Sequence, residues 1–250
     1  MTKGRVVAIS GAGGSLGPSV VRAFAAGGAV LALAGREADK LTALLDAAHV
    51  PADRRLVTAV DLQDPAAAAS WAGAVVGAFG RVDTVLHLVG GYRPGTAIAE
   101  IADADWKALH DMLVLTTLNV VRAFAGPLKA SGRGRLVAVT SPKAREPSAK
   151  GALYAMAKSA SDALVRAYAD EVKGTGTTAN LIEVDSIDSP ETRGAAGAGA
   201  ATASPAGPKK PYGKTTPAEE VAAAMVYLCS DEAATINGAR LPLTGRGLGN

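Results

Sequence analysis

Short apolar runs alternate with helix-patterned stretches along the whole chain. The apolar runs are Val6–Ile9, Val30–Ala34, Leu56–Val60, Val85–Val89, Arg135–Thr140, Ala179–Val184 and Arg240–Leu243. They are short, aliphatic and mostly without polar alternation, which is the pattern of strands buried on both faces. Between them, residues 18–26, Glu37–Ala48, a stretch opening at Asp64-Pro65, residues 103–130 around Trp106, and Ala152–Lys173 carry helical spacing. Gly27-Gly28 ends the first of these, while Asp64 and Pro65 read as N-cap and first helical residue of the third. Thr216-Pro217-Ala218-Glu219 reads as a capping box opening a last helix to about Ser230. Strands alternating with helices predict an α/β fold, a doubly wound parallel sheet of about seven strands with helices on both faces. No internal repeat breaks the pattern, so one domain over 1–250 is expected.

Gly194 to Gly213 departs from this regularity, being rich in Ala, Gly, Pro and Ser, with Lys209, Lys210 and Tyr212 among them. A disordered insertion and a flexible lid over a site both fit that composition. Its place after the sixth strand favours a lid over about 186–214, because ligands of open α/β sheets bind beyond the carboxyl ends of strands.

Composition narrows the function classes. The chain is 48% hydrophobic and 20% charged with a net charge of +3, as expected of a soluble globular protein. No Lys/Arg run marks a nucleic-acid surface, and no apolar stretch is expected to reach the ~20 residues of a membrane span. A lone cysteine, Cys229, excludes an internal disulfide and falls in an apolar helical pattern, so it reads as a buried core residue. Met1 to Arg5 leads straight into the first strand without a signal-peptide core, so a cytoplasmic location is expected.

The first strand is followed by Gly11, Ala12, Gly13, Gly14, Ser15, Leu16 and Gly17. Glycines between a strand and a helix permit a tight turn and let a pyrophosphate approach the helix N-terminus; a purely structural turn is the other reading. The second strand ends at Gly35-Arg36, without the carboxylate that usually reads a ribose 2′-OH. A guanidinium there suits a 2′-phosphate, which favours NADP(H) over NAD(H), unless Arg36 is an ordinary solvated residue. Farther on, Tyr154 and Lys158 stand four residues apart on a predicted helix, hence on one face, and Ser141 lies 13 residues before Tyr154 at the end of a strand. A lysine charge beside a phenol of ordinary pKa ~10 would lower it and make it an acid–base group.

Together, Gly11 to Gly17, Asp61 after the third strand, Ser141, Tyr154 and Lys158, and the stretch from Pro217 to Glu232 resemble the short-chain dehydrogenase/reductase family, single-domain type, over Val6 to about Gly247. The resemblance implies a Rossmann-type sheet and hydride transfer between a nicotinamide and a carbonyl or alcohol. It gives Tyr154 the proton transfer to the carbonyl oxygen, Lys158 the phenol and the nicotinamide ribose, and Ser141 the orientation of the carbonyl. It gives Asp61 and Leu62 the adenine. Val89 and Gly90 join the glycine loop (Gly11, Gly13, Gly14, Ser15, Leu16, Gly17) and Arg36 around the cofactor. It also implies a homo-oligomer, tetramer or dimer, through helices with apolar faces such as Leu115, Leu118 and Val121.

The chain departs from the family at several positions. Ser15 replaces a glycine. His87-Leu88-Val89-Gly90 stands where the family has Asn-Asn-Ala-Gly, and His87, on a buried strand, reads as structural. Leu113 stands where the family has a helix asparagine that holds a proton-relaying water. Asn119 is turned roughly 240° away on a helix, whereas Thr116 and Thr117 are nearer the right face. Val184-Asp185 replaces Pro-Gly, and Thr244-Gly245-Arg246 replaces Asp-Gly-Gly. The expected activity is an NADP(H)-dependent oxidoreductase on a small carbonyl or alcohol, ketoreductase-like. The alternative is the same fold with a non-redox activity, a cyclase or isomerase, or a binding role. The substrate wall is expected from residues 91–97 and 142–150, where Arg93, Lys143, Arg145 and Lys150 are either anion readers or solvated charges.

Overall fold

In the computed structural model, which describes residues 2–93, 95–189 and 215–243, the seven apolar runs form one parallel sheet. Its strands are β1 (Val6–Ser10), β2 (Val30–Gly35), β3 (Arg55–Ala59), β4 (Thr84–His87), β5 (Arg135–Thr140), β6 (Thr178–Glu183) and β9 (Arg240–Pro242). They lie in the order β3-β2-β1-β4-β5-β6-β9, so the winding direction reverses between β1 and β4. The helices are α1 (Gly17–Ala26), α2 (Ala38–Ala47), α3 (Pro65–Phe79), α4 (Asp103–Leu109), α5 (Thr116–Ala130), α6 (Ala152–Glu171) and α7 (Ala218–Leu228). A doubly wound sheet opens its ligand crevice at such a reversal, at the carboxyl ends of the strands.

Both faces of each central strand are covered, which is why the strands are continuously apolar. Val6 and Ala8 of β1 pack with Trp71, Val120, Phe124 and Tyr168 of α3, α5 and α6. Val7 and Ile9 pack with Val20 and Phe24 of α1, Leu41 and Leu45 of α2, and Val221 and Met225 of α7. Trp71 and Phe124 meet edge to face at 4.7 Å between centroids, locking α3 to α5. Cys229 is buried, as its pattern predicts, and burial pushes its thiol up to about 12.

Several local expectations need correction. The sixth strand is followed by a ribbon of two three-residue parallel strands, β7 (Ser186–Asp188) and β8 (Thr215–Pro217), too short to leave a pattern in the sequence. Residues 190–214, including most of the expected lid and its Lys209, Lys210 and Tyr212, lie outside the described residues, as does Thr244-Gly245-Arg246. Thr216 does not cap α7, because it belongs to β8 and its hydroxyl donates to the Leu243 carbonyl at 2.6 Å. Glu219 instead accepts from Ser19 of α1 at 3.1 Å. Asp64 does cap α3, accepting from the Ala66 N–H at 2.8 Å. β4 stops at His87, so Leu88 and Val89 have already left the sheet.

The 103–130 helix is continuous in direction but not in winding. Residues His110–Leu115 form a π-helical turn between α4 and α5. This stretch, Asp103–Ala130, is long and apolar enough by composition to cross a membrane, contrary to the sequence expectation. Its apolar side chains are spent on the fold: Val120, Val121, Phe124 and Leu128 are buried in the core under α3 and α6.

His87 is structural, as its position on a buried strand predicts. Thr117 spends its proton on the Leu113 carbonyl at 2.5 Å, so His87 Nε2 donates to Thr117 Oγ1 at 3.1 Å, and Nδ1 is left to accept from Ser10 Oγ at 2.8 Å. The imidazole is therefore neutral, and burial, with the Lys158 charge nearby, pushes its pKa down from 6.5 to about 3. Below pH 6.5 the unfolded chain takes up a proton that the folded one refuses, so stability falls with pH through this window. At pH 5 the loss is about 2 kcal/mol. The His87→Gln variant, which cannot titrate, is expected to be less stable at pH 7 and to lose that handicap progressively towards pH 5. Urea unfolding at both pH values checks this, and a stability gap independent of pH would exclude a neutral buried imidazole.

Candidate functional site

The close contact between the ends of β1 and β4 makes the floor of a cleft. Gly11 has φ +75°, and a Cβ on it would stand 2.7 Å from the Val89 backbone nitrogen, so no other residue fits without moving β4. From there the loop turns twice, with Gly14 N–H on the Gly11 carbonyl at 3.0 Å and Gly17 N–H on the Gly14 carbonyl at 3.1 Å, and enters α1. A Cβ on Gly17 would overlap the Ala12 carbonyl oxygen, so this glycine is also obligatory. Leu16 is buried in the core and anchors the loop; only its backbone is left for a ligand. Ser15, where the family has glycine, sits at an ordinary negative φ, since His49 is the one non-glycine residue with positive φ among the described residues. The substitution therefore costs the loop no backbone strain.

The cleft above this loop has a volume of about 630 Å³, and eight of the residues expected around a cofactor line it: Gly11, Gly13, Gly14, Arg36, Asp61, Leu62, Val89 and Gly90. Ser15, Leu16 and Gly17 hold the loop from behind. The sequence reading missed Glu37, Gln63, Met112 and Thr116, which also line the cleft, and Lys40, whose stem lies over Gly13. Lys40 was legible as the residue four after Arg36, on the first turn of α2. A cleft of this size, a glycine loop opening a ten-residue helix, and Arg36 and Lys40 beside that loop fit a phosphorylated dinucleotide.

Asn119 has a role that its helical angle hid. It is buried in α5 and its amide donates to the carbonyls of Leu62 at 2.9 Å and Gln63 at 3.1 Å, so it fixes the loop after β3 that forms one cleft wall.

Ser141, Tyr154 and Lys158 gather at the end of β5; none of the three, Tyr154 and Lys158 of the expected cofactor contacts included, is among the residues lining the cleft, but Tyr154 packs on the same apolar cluster as Met112, which does line it. Ser141 follows β5 directly and is buried; its Oγ accepts from the Lys143 N–H at 3.3 Å. The hydroxyl lies near enough to Tyr154 to pull the phenol pKa down. Tyr154 and Lys158 lie on the inward face of α6, and the Lys158 ammonium is almost fully buried, donating to the Val139 carbonyl of β5 at 3.0 Å. Burial lowers the Lys158 pKa from 10.5 to about 8.

The expected electrostatics of the phenol are reversed. Burial pushes Tyr154 above its ordinary value; the Ser141 hydrogen bond opposes this, and the negative charges of Asp185 and a neighbouring phenolate at Tyr92 would push it higher. Lys158 is not among these influences, because its ammonium is turned to Val139 while the phenol faces Tyr92, edge to face at 5.3 Å. The resting phenol is thus a proton donor rather than a base.

The side of Lys158 towards α5 is closed by side chains of the chain itself. Leu113 is buried with Leu109, Leu153 and Ala157. Its carbonyl, freed by the π turn, accepts from Thr117 at 2.5 Å and from Ser161 at 2.9 Å. Thr116 donates to the Met112 carbonyl at 2.6 Å. Both threonine hydroxyl protons are therefore committed to the helix backbone, so either oxygen would meet a relay water as an acceptor, and of the two Thr116 lines the cleft. Arg145, a candidate anion reader, is likewise committed, to the buried Glu183 carboxylate at 3.1 Å.

Comparison with known proteins agrees with this arrangement. A family profile described as enoyl-(acyl carrier protein) reductase matches residues 11–245. D-threitol dehydrogenase of Mycolicibacterium smegmatis is 30% identical over 97% of this chain and 92% of its own length. Meso-2,3-butanediol dehydrogenase of Serratia marcescens is 29% identical over 96% of this chain and 93% of its own length. The crystal structure of 3-ketoacyl-(acyl-carrier-protein) reductase from Brucella melitensis, complexed with NADH, superposes with a TM-score of 0.81, at 20% identity over 97% of this chain and 98% of that one. With a family profile across nearly its whole length, the chain belongs to the short-chain dehydrogenase/reductase family of oxidoreductases.

Proposed function

We propose that this oxidoreductase is an NADP(H)-dependent, ketoreductase-like enzyme that interconverts a small carbonyl compound and its alcohol, with Tyr154 as acid–base. The observation that carries the reading is the grouping of Ser141, Tyr154 and Lys158 at the end of β5, with Tyr154 on the same apolar cluster as Met112, which lines the glycine-floored cleft. The two relatives described above are named for a small diol and a small tetrol, which supports a small uncharged substrate pair.

When bound, the dinucleotide supplies or accepts a hydride at its nicotinamide ring. The chain's own groups do the rest. Tyr154, protonated at neutral pH, donates its phenolic proton to the carbonyl oxygen as the carbon is reduced; in the reverse direction it takes the alcohol proton. Ser141 directs a hydroxyl at the same oxygen and shares its developing charge. Lys158, fixed by Val139, offers its remaining N–H donors towards the ribose. NADP(H) preference rests on Arg36 at the end of β2, and Lys40 beside Gly13 adds a second cation four residues on; Glu37 in the same wall opposes them.

Tyr154→Phe is expected to lower kcat at least about a thousandfold with NADPH affinity unchanged, since it deletes only the transferable proton. Turnover within tenfold of wild type would remove Tyr154 from the proton transfer. Arg36→Ala is expected to weaken NADPH binding by about tenfold or more and NADH binding by less than about twofold, read by nicotinamide fluorescence. Equal weakening of both would make Arg36 a general contact and not a phosphate reader. Lys158 loses its charge as pH rises through about 8, so carbonyl reduction is expected to decline above that value. A rate that stays flat to pH 10 would show that the ammonium charge is not needed.

A further inference from the structure

The chain after β4 turns back over the candidate site and carries an aromatic ring to its mouth. Gly91 makes the turn at φ +156°, with a Cβ position only 3.2 Å from Met112. Beyond it, the Gly95 N–H donates to the Lys150 carbonyl at 3.0 Å, and a Cβ at Gly95 would stand 2.6 Å from that oxygen. The two loops that flank the site are therefore tied to one another just before α6 begins. Between these two fixed points stands Tyr92. One edge of the contact is Tyr154, at 5.3 Å and 79°, and the ring is otherwise 57% exposed. A large aromatic face left uncovered beside a phenol is a surface for the C–H face of a bound molecule.

A carboxylate also stands near this mouth. Val184 N–H donates to the Thr140 carbonyl at 3.1 Å, so β6 runs beside β5 to its end. Asp185 is the next residue, one position beyond the level of Ser141, and its carboxylate is near enough to act on the Tyr154 phenol. Among the described residues, Arg145 is held by Glu183, the Lys143 stem packs along Gly151, Arg93 lines the dinucleotide cleft, the Lys158 ammonium is turned to Val139 and Lys150 is exposed.

The geometry points to Tyr92 and Asp185 as specificity-determining residues that select a neutral ketone or secondary alcohol, whose ring or alkyl face packs on Tyr92, over one carrying a carboxylate or phosphate near the reacting carbon. This rests on the ketoreductase reading above. Tyr92 supplies the apolar contact, and Asp185 repels an anion that approaches Tyr154 and Ser141.

The test uses the full chain with NADPH and two ketones of one ring size, cyclohexanone and 4-oxocyclohexane-1-carboxylate, at pH 7. Steady-state kinetics are paired with equilibrium binding of each ketone by saturation-transfer NMR. Wild type is expected to favour cyclohexanone by about tenfold or more in kcat/KM. Tyr92→Ala is expected to raise KM for cyclohexanone about tenfold with kcat changed less than about threefold, and Tyr92→Phe to restore KM, because the ring and not the hydroxyl is used. Asp185→Asn is expected to cut the discrimination to less than about threefold, through a rise in kcat/KM for the carboxylate larger than any change for cyclohexanone. Equal or better use of the carboxylate by wild type, or an unchanged KM in Tyr92→Ala, overturns the assignment. Preferential binding of cyclohexanone without turnover of either ketone would support the specificity while refuting the ketoreductase reading. Binding of neither ketone, or equal binding of both, overturns the specificity itself.

Discussion

The contact of Gly11 with the backbone of Val89 is the constraint from which the rest of the site follows. Two parallel strands with opposite winding must leave a gap at their carboxyl ends. Here the gap is kept narrow because a residue without a Cβ lets the loop after β1 rest on the chain leaving β4. That contact sets the floor of the dinucleotide cleft, aims the N-terminus of α1 into it and starts the course of the loop that carries Tyr92. His87 supports the same junction from below, tying Ser10 at the end of β1 to Thr117 of α5.

Around Tyr154, desolvation outweighs direct charge. The buried Lys158 ammonium is turned to Val139, and the phenol is held above its ordinary pKa by its burial and by Asp185, with Ser141 opposing them. The resting site holds a protonated Tyr154 and a Lys158 whose pKa is near the working range. This favours proton delivery to a carbonyl oxygen over proton abstraction from an alcohol. Leu113 and the altered motif after the fourth strand, which prompted the non-redox alternative, are accommodated locally: the Leu113 carbonyl is satisfied by Thr117 and Ser161, and His87 by Ser10 and Thr117.

Two features that looked like departures prove to be substitutions of one physical means for another. Ser15 needs no glycine because the backbone there stays at negative φ. His87 fills the position of a polar strand residue with a ring held neutral by two hydroxyl partners and by the nearby Lys158 charge. In both cases the surrounding hydrogen bonds, and not residue type, decide what is tolerated.

The sequence by itself determined the order and type of the main elements, the sheet, and the residues of the glycine loop and of the Ser141, Tyr154 and Lys158 group. These follow from short-range facts: uninterrupted apolar runs need cover on both faces, glycines mark tight turns, and four residues make one helical turn. The two-stranded ribbon, the π turn at His110–Leu115 and the failed cap at Thr216 were not legible, because each depends on a partner distant in sequence. The same holds for Asn119, whose amide reaches Leu62 and Gln63 more than fifty residues away. Only the tertiary structure decided the state of Tyr154, since a pKa depends on burial and on which charges arrive by other routes. A Tyr and a Lys one turn apart share a face, but the packing of α6 against β5 and the turn at Gly91 settle what each side chain meets.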